Sequence, residues 1–419
     1  MGCAMSSVRF TFVVDGFNRT AVATLIAALE DVAEDIDEAV RTVQANEIEV
    51  LDFDITGAVR EIVCFSTMTP NADKAVATHN RLRRKWGGTF TSIFGGSHAS
   101  GDPGALLGSG IDFCCVGEGE HVIKEVYGRV VTGETPASVP GLFRLAGKKV
   151  SGEKAVRPVD IEACNALPMT VQFPTYIEIG RGCRWKCLYC QTPQVHGAVE
   201  RYRSPGNVEK AVRRYAEFGM KDFRFLLPNA LGYMSEQPGV PNCAALDELL
   251  ARSRKVCGGG RLFLGSFPSE VRPDYVTEKA LLVLKSYVSN AGLVIGGQSG
   301  SRRMLAAVKR GHGVGVVLRA CDISLACGFE ASIDLVLGFP GETAEDRRAT
   351  IDLIEQLGSK GVVTNMHFFM PLPGTALSGR RPAFLNHGIR RRLDRYAQQG
   401  ILRGRWRRQE QISRKWVRS

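Results

Sequence analysis

Three cysteines in the middle of the 419-residue chain have the type and spacing needed to bind a metal cluster. Cys183, Cys187 and Cys190 lie in the segment YIEIGRGCRWKCLYCQTP and follow the pattern CxxxCxxC. Three thiolates on one short loop can hold three irons of a cubane and leave the fourth iron open to a ligand. A zinc site is the alternative, but it would need a fourth Cys or His, and His196 is the only candidate nearby. The spacing therefore favours a 4Fe–4S cluster.

The first third of the chain alternates between segments typical of strands and of helices. Strands are predicted at 9–15, 47–54, 61–67, 91–96 and 112–117, with helices at 19–31 and 72–86. This alternation predicts an α/β fold with a Rossmann-like, doubly wound parallel sheet, whose ligand lies at the carboxyl ends of the strands. A segment rich in Pro, Gly, Lys and Val at 132–172 predicts a small hairpin and a linker.

A second series of strands and helices starts at Tyr176, so the three cysteines directly follow its first strand. Strands are predicted at 176–180, 222–227, 261–265, 292–296, 331–337 and 362–369, and helices at 207–219, 243–256, 274–287, 314–327 and 343–359. Six such units predict a partial (β/α)6 TIM-type barrel, short of the eight in a closed one. The predicted domains are 1–150, a linker at 151–172, the barrel at 173–374 and a basic extension at 375–419.

The net charge of +11 is concentrated at the C-terminal end. Residues 380–419 contain 13 Lys and Arg and two acidic residues, so the rest of the chain has no net charge. This segment predicts an acidic protein surface or RNA as a partner, and a solvated basic helix is an equal alternative. Twelve cysteines, no apolar run that could span a membrane and no signal peptide together predict a cytoplasmic protein without a membrane partner. The isolated cysteines are expected to be small buried hydrophobes.

The cysteine segment resembles the cluster loop of the radical S-adenosylmethionine (SAM) superfamily. The resemblance implies that SAM binds the open iron and that one electron from the cluster cleaves it to methionine and a 5′-deoxyadenosyl radical, which requires a low-potential electron donor. Tyr189, before the third cysteine, would lie by the adenine. The other SAM contacts implied by the resemblance are Asn229, Ser266, Ser269, Glu270, Gln298, Ser299 and Gly338. Many relatives have Glu-Ser where this chain has Gln298-Ser299, and Arg310-Gly311-His312 resembles a further recurring element.

Residues 95–120 resemble the cobalamin-binding domain that precedes many radical SAM domains. The cobalamin contacts implied are Ser66, Thr67, Gly95, Gly96, His98, Gly117, Glu118, Gly119 and Glu120. The Asp-x-His-x-x-Gly motif of the cobalamin mutases is absent from the sequence, so His98 is not expected to bind cobalt. The resemblance implies that cobalamin takes a methyl group from one SAM and passes it to a substrate carbon from which the deoxyadenosyl radical has removed hydrogen. A domain that has lost its corrin is the alternative.

The segments GGQSGS, PNA, FPSEVRP and HFFMPLPGT resemble an archaeal group of cobalamin-dependent radical SAM methyltransferases. That group includes the enzyme that methylates a glutamine α carbon in the α subunit of methyl-coenzyme M reductase, which becomes the predicted substrate and partner. An RNA methylthiotransferase is one alternative, with a second cluster on Cys3, Cys64 and Cys114 or Cys115. A small-molecule methyltransferase or cyclase and a non-enzymatic corrinoid or electron carrier are the others. The sequence identifies no general acid or base.

Overall fold

The computed structural model describes residues 7–48, 51–53, 58–155 and 157–416 of the chain. The chain folds into two compact units. Unit 1 comprises Met1–Thr175 with Gln191–Gly197, and unit 2 comprises Tyr176–Cys190 with Ala198–Ser419. In the described residues, no helix combines the length and apolar character needed to cross a membrane.

Unit 1 is built on one seven-stranded sheet. Its strands are β1 (Ser7–Val14), β2 (Val40–Gln44), β3 (Val59–Ser66), β4 (Phe90–Gly95), β5 (Phe113–Cys115), β6 (Leu142–Ala146) and β7 (Lys149–Gly152). Their order is β2-β1-β3-β4-β5-β6-β7, and the first five are parallel while β6 and β7 form the predicted hairpin. The order reverses between β1 and β3, which is where doubly wound sheets bind ligands. The predicted α/β class is confirmed.

Helices cover both faces of this sheet. They are α1 (Arg19–Leu29), α2 (Ile36–Ala39), α3 (Ala72–Trp86), α4 (Gly96–Gly101), α5 (Pro103–Gly108), α6 (Glu120–Val131) and α7 (Thr192–His196). One hydrophobic core joins the sheet to α1 and α6, and a second core joins the opposite face to α3 and α5. Successive strand residues alternate between the two cores, as the period of two in a strand requires.

The second strand of this sheet lies earlier in the chain than predicted. Strand β2 pairs with β1, whereas the predicted strand at 47–54 is wrong for its described residues 47, 48 and 51–53. Ile48, Leu51 and Phe53 are nevertheless buried in a core. The apolar pattern predicts burial correctly and a strand wrongly, because a loop can also bury alternate side chains. Residues 49, 50 and 54 lie outside the described part of the chain.

Unit 2 contains the predicted partial barrel. Its strands are β8 (Ile177–Glu178), β9 (Gly180–Arg181), β10 (Arg201–Tyr202), β11 (Asp222–Leu226), β12 (Arg261–Phe263), β13 (Gly292–Gln298), β14 (Glu330–Leu337), β15 (Val363–Phe368) and β16 (Leu402–Arg403). Parallel pairing gives the orders β12-β11-β8 and β13-β14-β15-β16. An isolated parallel bridge pairs Val271 with Ile295 inside β13. Strands β9 and β10 form a separate antiparallel pair. Strand β16, inside the predicted basic extension, was not expected from the sequence.

The helices of unit 2 follow its strands. They are α8 (Pro205–Glu217), α9 (Cys243–Val256), α10 (Glu278–Tyr287), α11 (Arg302–Ala307), α12 (Val314–Ala326), α13 (Ala344–Ser359), α14 (His387–Gln398) and α15 (Trp406–Trp416). Local sequence explains where they begin. Ser204 caps α8 by accepting a hydrogen bond from the backbone of Asn207 (3.2 Å), and Thr343 with Asp346 forms a capping box at α13.

Candidate functional site

The three predicted cluster ligands lie on one loop of unit 2. The loop follows β9 and begins at Gly182, whose φ of +80° is one that residues with a side chain rarely adopt. A Cβ atom at Gly182 would lie 2.1 Å from the carbonyl oxygen of Val199, so only glycine fits this turn. The turn therefore fixes the direction in which the segment with Cys183, Cys187 and Cys190 leaves the sheet.

The chemistry of these thiols suits a cluster. Cys187 is buried, Cys183 and Cys190 are half-buried, and none of the three forms a disulfide within the described part of the chain. Desolvation raises the pKa of Cys183 to about 11, and the nearby Cys190 and Glu200 raise it as well. Such a thiol ionises at neutral pH when a bound metal supplies positive charge. The donor set therefore fits an iron–sulfur cluster.

The zinc alternative has less support from the side chains around the loop. His196, its candidate fourth ligand, places Nδ1 3.0 Å from Oε1 of Glu118. In the part of the chain that the structure describes, no three His, Cys, Asp or Glu side chains converge to hold a metal ion. The thiolates of a cubane must surround one cluster, but each binds a different iron, so they need not meet at a single ion.

Three polar side chains of unit 2 meet around Gly296, next to the cysteine loop. A Cβ atom at Gly296 would lie 2.6 Å from Nη2 of Arg310, 2.8 Å from Nε2 of Gln298 and 3.1 Å from Oε2 of Glu270. Arg310 also directs Nη1 at the sulfur of Cys187, 3.8 Å away. The fold thus brings Glu270 and Gln298, both predicted SAM contacts, to the guanidinium that touches a predicted cluster ligand.

Asp334, a titratable residue that the sequence analysis missed, lies near Glu270. Desolvation and the nearby Asp334 carboxylate together raise the pKa of Glu270 to about 7, although its side chain keeps access to solvent. Asp334 is buried, accepts a hydrogen bond from Asn365 (3.0 Å) and lies 3.6 Å from Nε2 of His367. The sequence carried a signal for these residues, because a single Asp interrupts the largely apolar strand ASIDLVL, and Asn365 and His367 lie two residues apart in VTNMHF.

Two further predicted SAM contacts have geometry that suits a ligand. The hydroxyl oxygen of Ser266 is buried and has no hydrogen-bond partner among the residues that the structure describes. A buried polar atom of this kind is costly unless a ligand or water satisfies it. Tyr189 packs on Phe339 with ring centroids 5.4 Å apart, in an apolar cluster with Phe369. These groups could hold a hydroxyl and an aromatic ring of a bound SAM.

Ser269, Ser299 and Asn229 use their side chains within the scaffold. Ser269 donates to the carbonyl of Phe225 (2.7 Å) and accepts from the backbone of Leu227 (3.1 Å). The Ser299 hydroxyl lies 3.3 Å from the hydroxyl of Thr350 and accepts from the backbone nitrogen of Ser301 (3.1 Å). Oδ1 of Asn229 accepts from the backbone nitrogen of Arg272 (3.0 Å). Direct binding of SAM by the side chains of Ser269 and Ser299 would require these bonds to be exchanged.

Both the backbone conformation and the packing at position 338 require a glycine. Its φ is +87°, and a Cβ atom there would lie 2.4 Å from the ring of Phe368. Its backbone nitrogen donates to Oε2 of Glu342 (2.9 Å), which also accepts from Arg347 (3.0 Å). The glycine-rich turn after β14 is therefore tightly packed and lies next to Phe339.

The first group of predicted cobalamin contacts lies at the carboxyl ends of β3 and β4. Ser66 and Gly95 end the two strands, and Thr67 donates to the Gly95 carbonyl through both its backbone nitrogen (2.8 Å) and its hydroxyl (3.0 Å). A Cβ atom at Gly96 would lie 2.6 Å from the Thr67 carbonyl oxygen. His98 is buried, and its Nδ1 lies 3.2 Å from the hydroxyl of Thr69, so the histidine already has a protein partner.

The second group follows β5 and has the sequence Gly117-Glu118-Gly119-Glu120. The backbone nitrogen of Gly117 donates to the hydroxyl of Ser100 in α4 (3.0 Å). Glu118 accepts from the backbone of Val159 (2.7 Å), and Glu120 is buried at the start of α6. Both groups lie where parallel sheets bind ligands.

Exposed apolar side chains lie at the same edge of the sheet. Phe17 follows β1 and is 58% exposed, and Met68 follows β3 and is 46% exposed. Large exposed apolar side chains often mark ligand surfaces. Together with the glycine loops, they fit a large, partly apolar ring such as a corrin.

The described cysteines considered for a second cluster lie in two separate cores. Cys64 and Cys115 lie in the core on one face of the unit 1 sheet, and Cys114 lies in the core on the other face. Desolvation raises the pKa values of Cys114 and Cys115 to about 12 and raises that of Cys64 as well. Cys3 lies outside the described residues.

Comparisons with known proteins agree with this geometry. The family description of the Radical SAM superfamily matches residues 177–354. A tRNA-2-methylthio-N(6)-dimethylallyladenosine synthase of Prosthecochloris aestuarii is 30% identical over 241 residues, which is 57% of this chain and 52% of that protein. The synthase of Syntrophus aciditrophicus is 31% identical over 195 residues, or 46% of this chain and 41% of that protein. The chain thus spans about half the length of the relatives it matches.

Two solved structures share the fold over most of the chain. One is the radical SAM methyltransferase TsrM of Kitasatospora setae, with a TM-score of 0.69, 16% identity and coverage of 89% of this chain and 77% of that one. The other is the cobalamin-dependent SAM radical enzyme OxsB, with a TM-score of 0.61, 15% identity and coverage of 84% and 52%. Residues 177–354 are therefore a radical SAM domain, in a chain that has the α/β fold of TsrM and OxsB.

Proposed function

We propose that the chain is a cobalamin-dependent radical SAM methyltransferase that acts on an unactivated carbon. The observation that carries the proposal is the loop of Cys183, Cys187 and Cys190 at the start of a radical SAM domain, with Arg310 against Cys187. The N-terminal sheet, with glycine loops at its ligand-binding edge, supports cobalamin as the methyl carrier.

In unit 2, the three thiolates hold the cluster, which supplies the electron that cleaves bound SAM. Tyr189 and Phe339 provide an apolar surface for the adenine, and the unpartnered hydroxyl of Ser266 binds a polar group of the nucleoside. Glu270 and Gln298 orient the polar end of SAM from their positions around Gly296. The protein therefore supplies orientation, and the cofactors supply the difficult chemistry.

In unit 1, the edge formed by Ser66, Thr67, Gly95 and Gly96 and the loop at 117–120 hold cobalamin, which supplies methyl-group transfer. His98 keeps Nδ1 next to the hydroxyl of Thr69, and the absence of an Asp-x-His-x-x-Gly motif argues against this histidine as the cobalt ligand. Phe17 and Met68 cover apolar surface of the corrin.

The proposed substrate is the α carbon of a glutamine in the α subunit of methyl-coenzyme M reductase. This proposal rests on the resemblance of GGQSGS, FPSEVRP and HFFMPLPGT to the archaeal group. The basic helices α14 and α15 suit an acidic protein or peptide partner, because Arg391 and Arg408 are exposed. Mass spectrometry of the reductase from a methanogen lacking the gene should show unmodified glutamine, and persisting methylglutamine would remove this substrate.

An RNA methylthiotransferase is the second candidate, because the tRNA-modifying relatives share 30% and 31% identity and the same exposed arginines suit RNA. The burial of Cys64, Cys114 and Cys115 on two faces of a sheet disfavours the second cluster it needs. Anaerobic reconstitution with iron and sulfide distinguishes the two functions: roughly four irons per chain indicate one cluster, and roughly eight indicate the methylthiotransferase.

The same preparation tests the main proposal. With dithionite and SAM, the reconstituted protein should release 5′-deoxyadenosine, and protein purified with cobalamin should show a corrin absorbance band. A colourless protein that leaves SAM intact would refute the radical mechanism. A protein with a cluster but without a corrin band would refute the role of cobalamin alone.

A further inference from the structure

Arg310 is fixed by three separate contacts, although it lies more than a hundred residues from the cysteine loop. Its Nη2 donates to the carbonyl of Gly296 (2.8 Å), its Nε donates to Nε2 of His312 (3.0 Å), and its Nη1 points at the sulfur of Cys187 (3.8 Å). The side chain is buried. A guanidinium is a rigid planar fork, so two anchored nitrogens fix the position of the third.

His312 can anchor Arg310 only in its neutral form, because Nε2 must be unprotonated to accept a hydrogen bond. Desolvation, followed by the positive charges of Arg310 and Arg272, lowers the pKa of His312 to about 4. The histidine is therefore neutral throughout the neutral pH range, and the tautomer that leaves Nε2 unprotonated retains this hydrogen bond to the guanidinium.

Arg272 connects the same element to the cysteine loop. Its Nη1 donates to the carbonyl of Arg310 (3.1 Å), and its guanidinium lies 3.5 Å from the ring centroid of Trp185, between the first two cysteines. A Cβ atom at Gly311 would lie 2.8 Å from the Trp185 ring, so this glycine permits the close approach. The backbone that carries Arg310 is thus packed directly on the loop that carries Cys187.

We propose that Arg310 raises the reduction potential of the cluster by holding a permanent positive charge against its Cys187 ligand. The inference rests on the cluster assigned in the proposed function. Reduction adds one electron, and therefore one negative charge, and a nearby cation in a site with little water stabilises the reduced form. Hydrogen bonds to the ligand sulfurs are an established means by which proteins tune such clusters. Arg310 keeps its proton in both states, so the step transfers an electron from the external donor and no proton.

The test is an anaerobic redox titration of the reconstituted full-length protein, followed by electron paramagnetic resonance without SAM. Arg310→Gln removes the charge and should lower the ratio of reduced to oxidised cluster at a fixed potential at least tenfold, which is a shift of about −59 mV for one electron. Arg310→Lys retains a charge without the fork and should shift the potential by less than half as much.

Arg254→Gln is the matched control. Arg254 also donates to a backbone carbonyl, that of Gly260 (2.8 Å), and to a sulfur, that of Cys257 (3.7 Å), but this cysteine is not a cluster ligand. Its loss should leave the potential unchanged.

An Arg310→Gln protein with the wild-type potential would overturn the inference, as would equal shifts in Arg310→Gln and Arg254→Gln. If Arg310→Gln does not retain four irons, His312→Phe decides, because it keeps the charge of Arg310 and removes one anchor. A more negative potential in His312→Phe supports the inference, and an unchanged potential contradicts it. Wild-type protein that binds no cluster would refute the proposed function instead.

Discussion

Cys115 of unit 1 and Cys187 of unit 2 are equally buried, with 6% and 7% of their surfaces exposed, but their neighbours differ. Cys115 lies among aliphatic and aromatic side chains of a core, whereas the sulfur of Cys187 lies 3.8 Å from a guanidinium nitrogen. Burial alone therefore does not identify a reactive thiol. The comparison teaches that a buried cysteine is suited to metal binding when it lies on a loop with other thiols and near a compensating charge.

The two units also differ in how buried carboxyl groups are compensated and in where the backbone is strained. The glycine turn after β14 contains Gly338 in a conformation that only glycine readily adopts. The buried carboxyl of Glu342 in this turn accepts from Arg347 through Oε2, but its Oε1 has no hydrogen-bond partner among the described residues. In unit 1, the buried carboxylate of Glu61 is paired with both Arg9 and Arg41 (3.2 Å each). Strain and poorly compensated groups gather at functional sites more often than in ordinary cores.

The largest expected effect is on iron content. Cys187→Ser removes a ligand of the cluster, so reconstituted protein should lose nearly all iron and all cleavage of SAM. Cys115→Ser changes an equally buried thiol and should retain roughly four irons per chain. Iron and sulfide analysis checks both, with Cys243→Ser as a half-exposed control. Equal iron loss in Cys187→Ser and Cys115→Ser would break the comparison.

Gly338→Ala should give the largest change in stability. The substitution combines an unfavourable φ with a Cβ atom 2.4 Å from the Phe368 ring, and the two effects together cost about 3 kcal/mol. Gly341→Ala is the matched control, since Gly341 has a φ of +76° and no atom within 4 Å of the added Cβ. Its expected cost is about 1 kcal/mol. Denaturant unfolding measures the difference, and equal costs would show that the contact with Phe368 is unimportant.

Glu342 should make the stability of the protein depend on pH. Desolvation raises the pKa of Glu342 to about 7 in the folded protein, so its contribution is fully present below its ordinary pKa near 4.5 and is lost as the pH rises to 7. The unfolding free energy of the wild type should fall between pH 5 and pH 8. In Glu342→Gln this fall should be smaller by about 2 kcal/mol. Denaturant unfolding at both pH values checks this.

Glu345→Gln serves as the control for this prediction, because it removes an exposed carboxylate from the first turn of α13. Hydrogen bonds lower the pKa of Glu345 below its ordinary value, so this group is ionised between pH 5 and pH 8. Its pH profile should follow that of the wild type. An unchanged slope in Glu342→Gln would contradict the assignment.

The smallest expected effect is that of Cys115→Ala, which leaves a small cavity in a core and should lower the unfolding free energy by about 1 kcal/mol. Cys114→Ala, in the core on the opposite face, should have a similar cost. Neither change should alter the iron content. A loss of iron in either variant would indicate that unit 1 holds a cluster and would favour the methylthiotransferase.

Local patterns predicted most of the regular structure. Periodicity located α1, α3 and the six main strands of the barrel, because amphipathic spacing reflects which side chains are buried. It placed β2 wrongly at 47–54, since Ile48, Leu51 and Phe53 are buried without strand pairing. It gave no sign of β16, whose two residues become a strand only through pairing with β15.

The cysteine loop and the fold class follow from the sequence alone. The loop is readable because its three thiols are close in the chain, and the fold class is readable because strand and helix periods are local. Only the tertiary structure decided that Glu270, Gln298 and Arg310 meet at Gly296 and that Arg310 touches Cys187. These residues come from separate segments of the chain, and their distances are set by the packing of the barrel. Tertiary structure also separates Cys114 from Cys64 and Cys115, which are buried in the core on the other face of the sheet. Neighbours in the sequence of a strand point to opposite faces of its sheet.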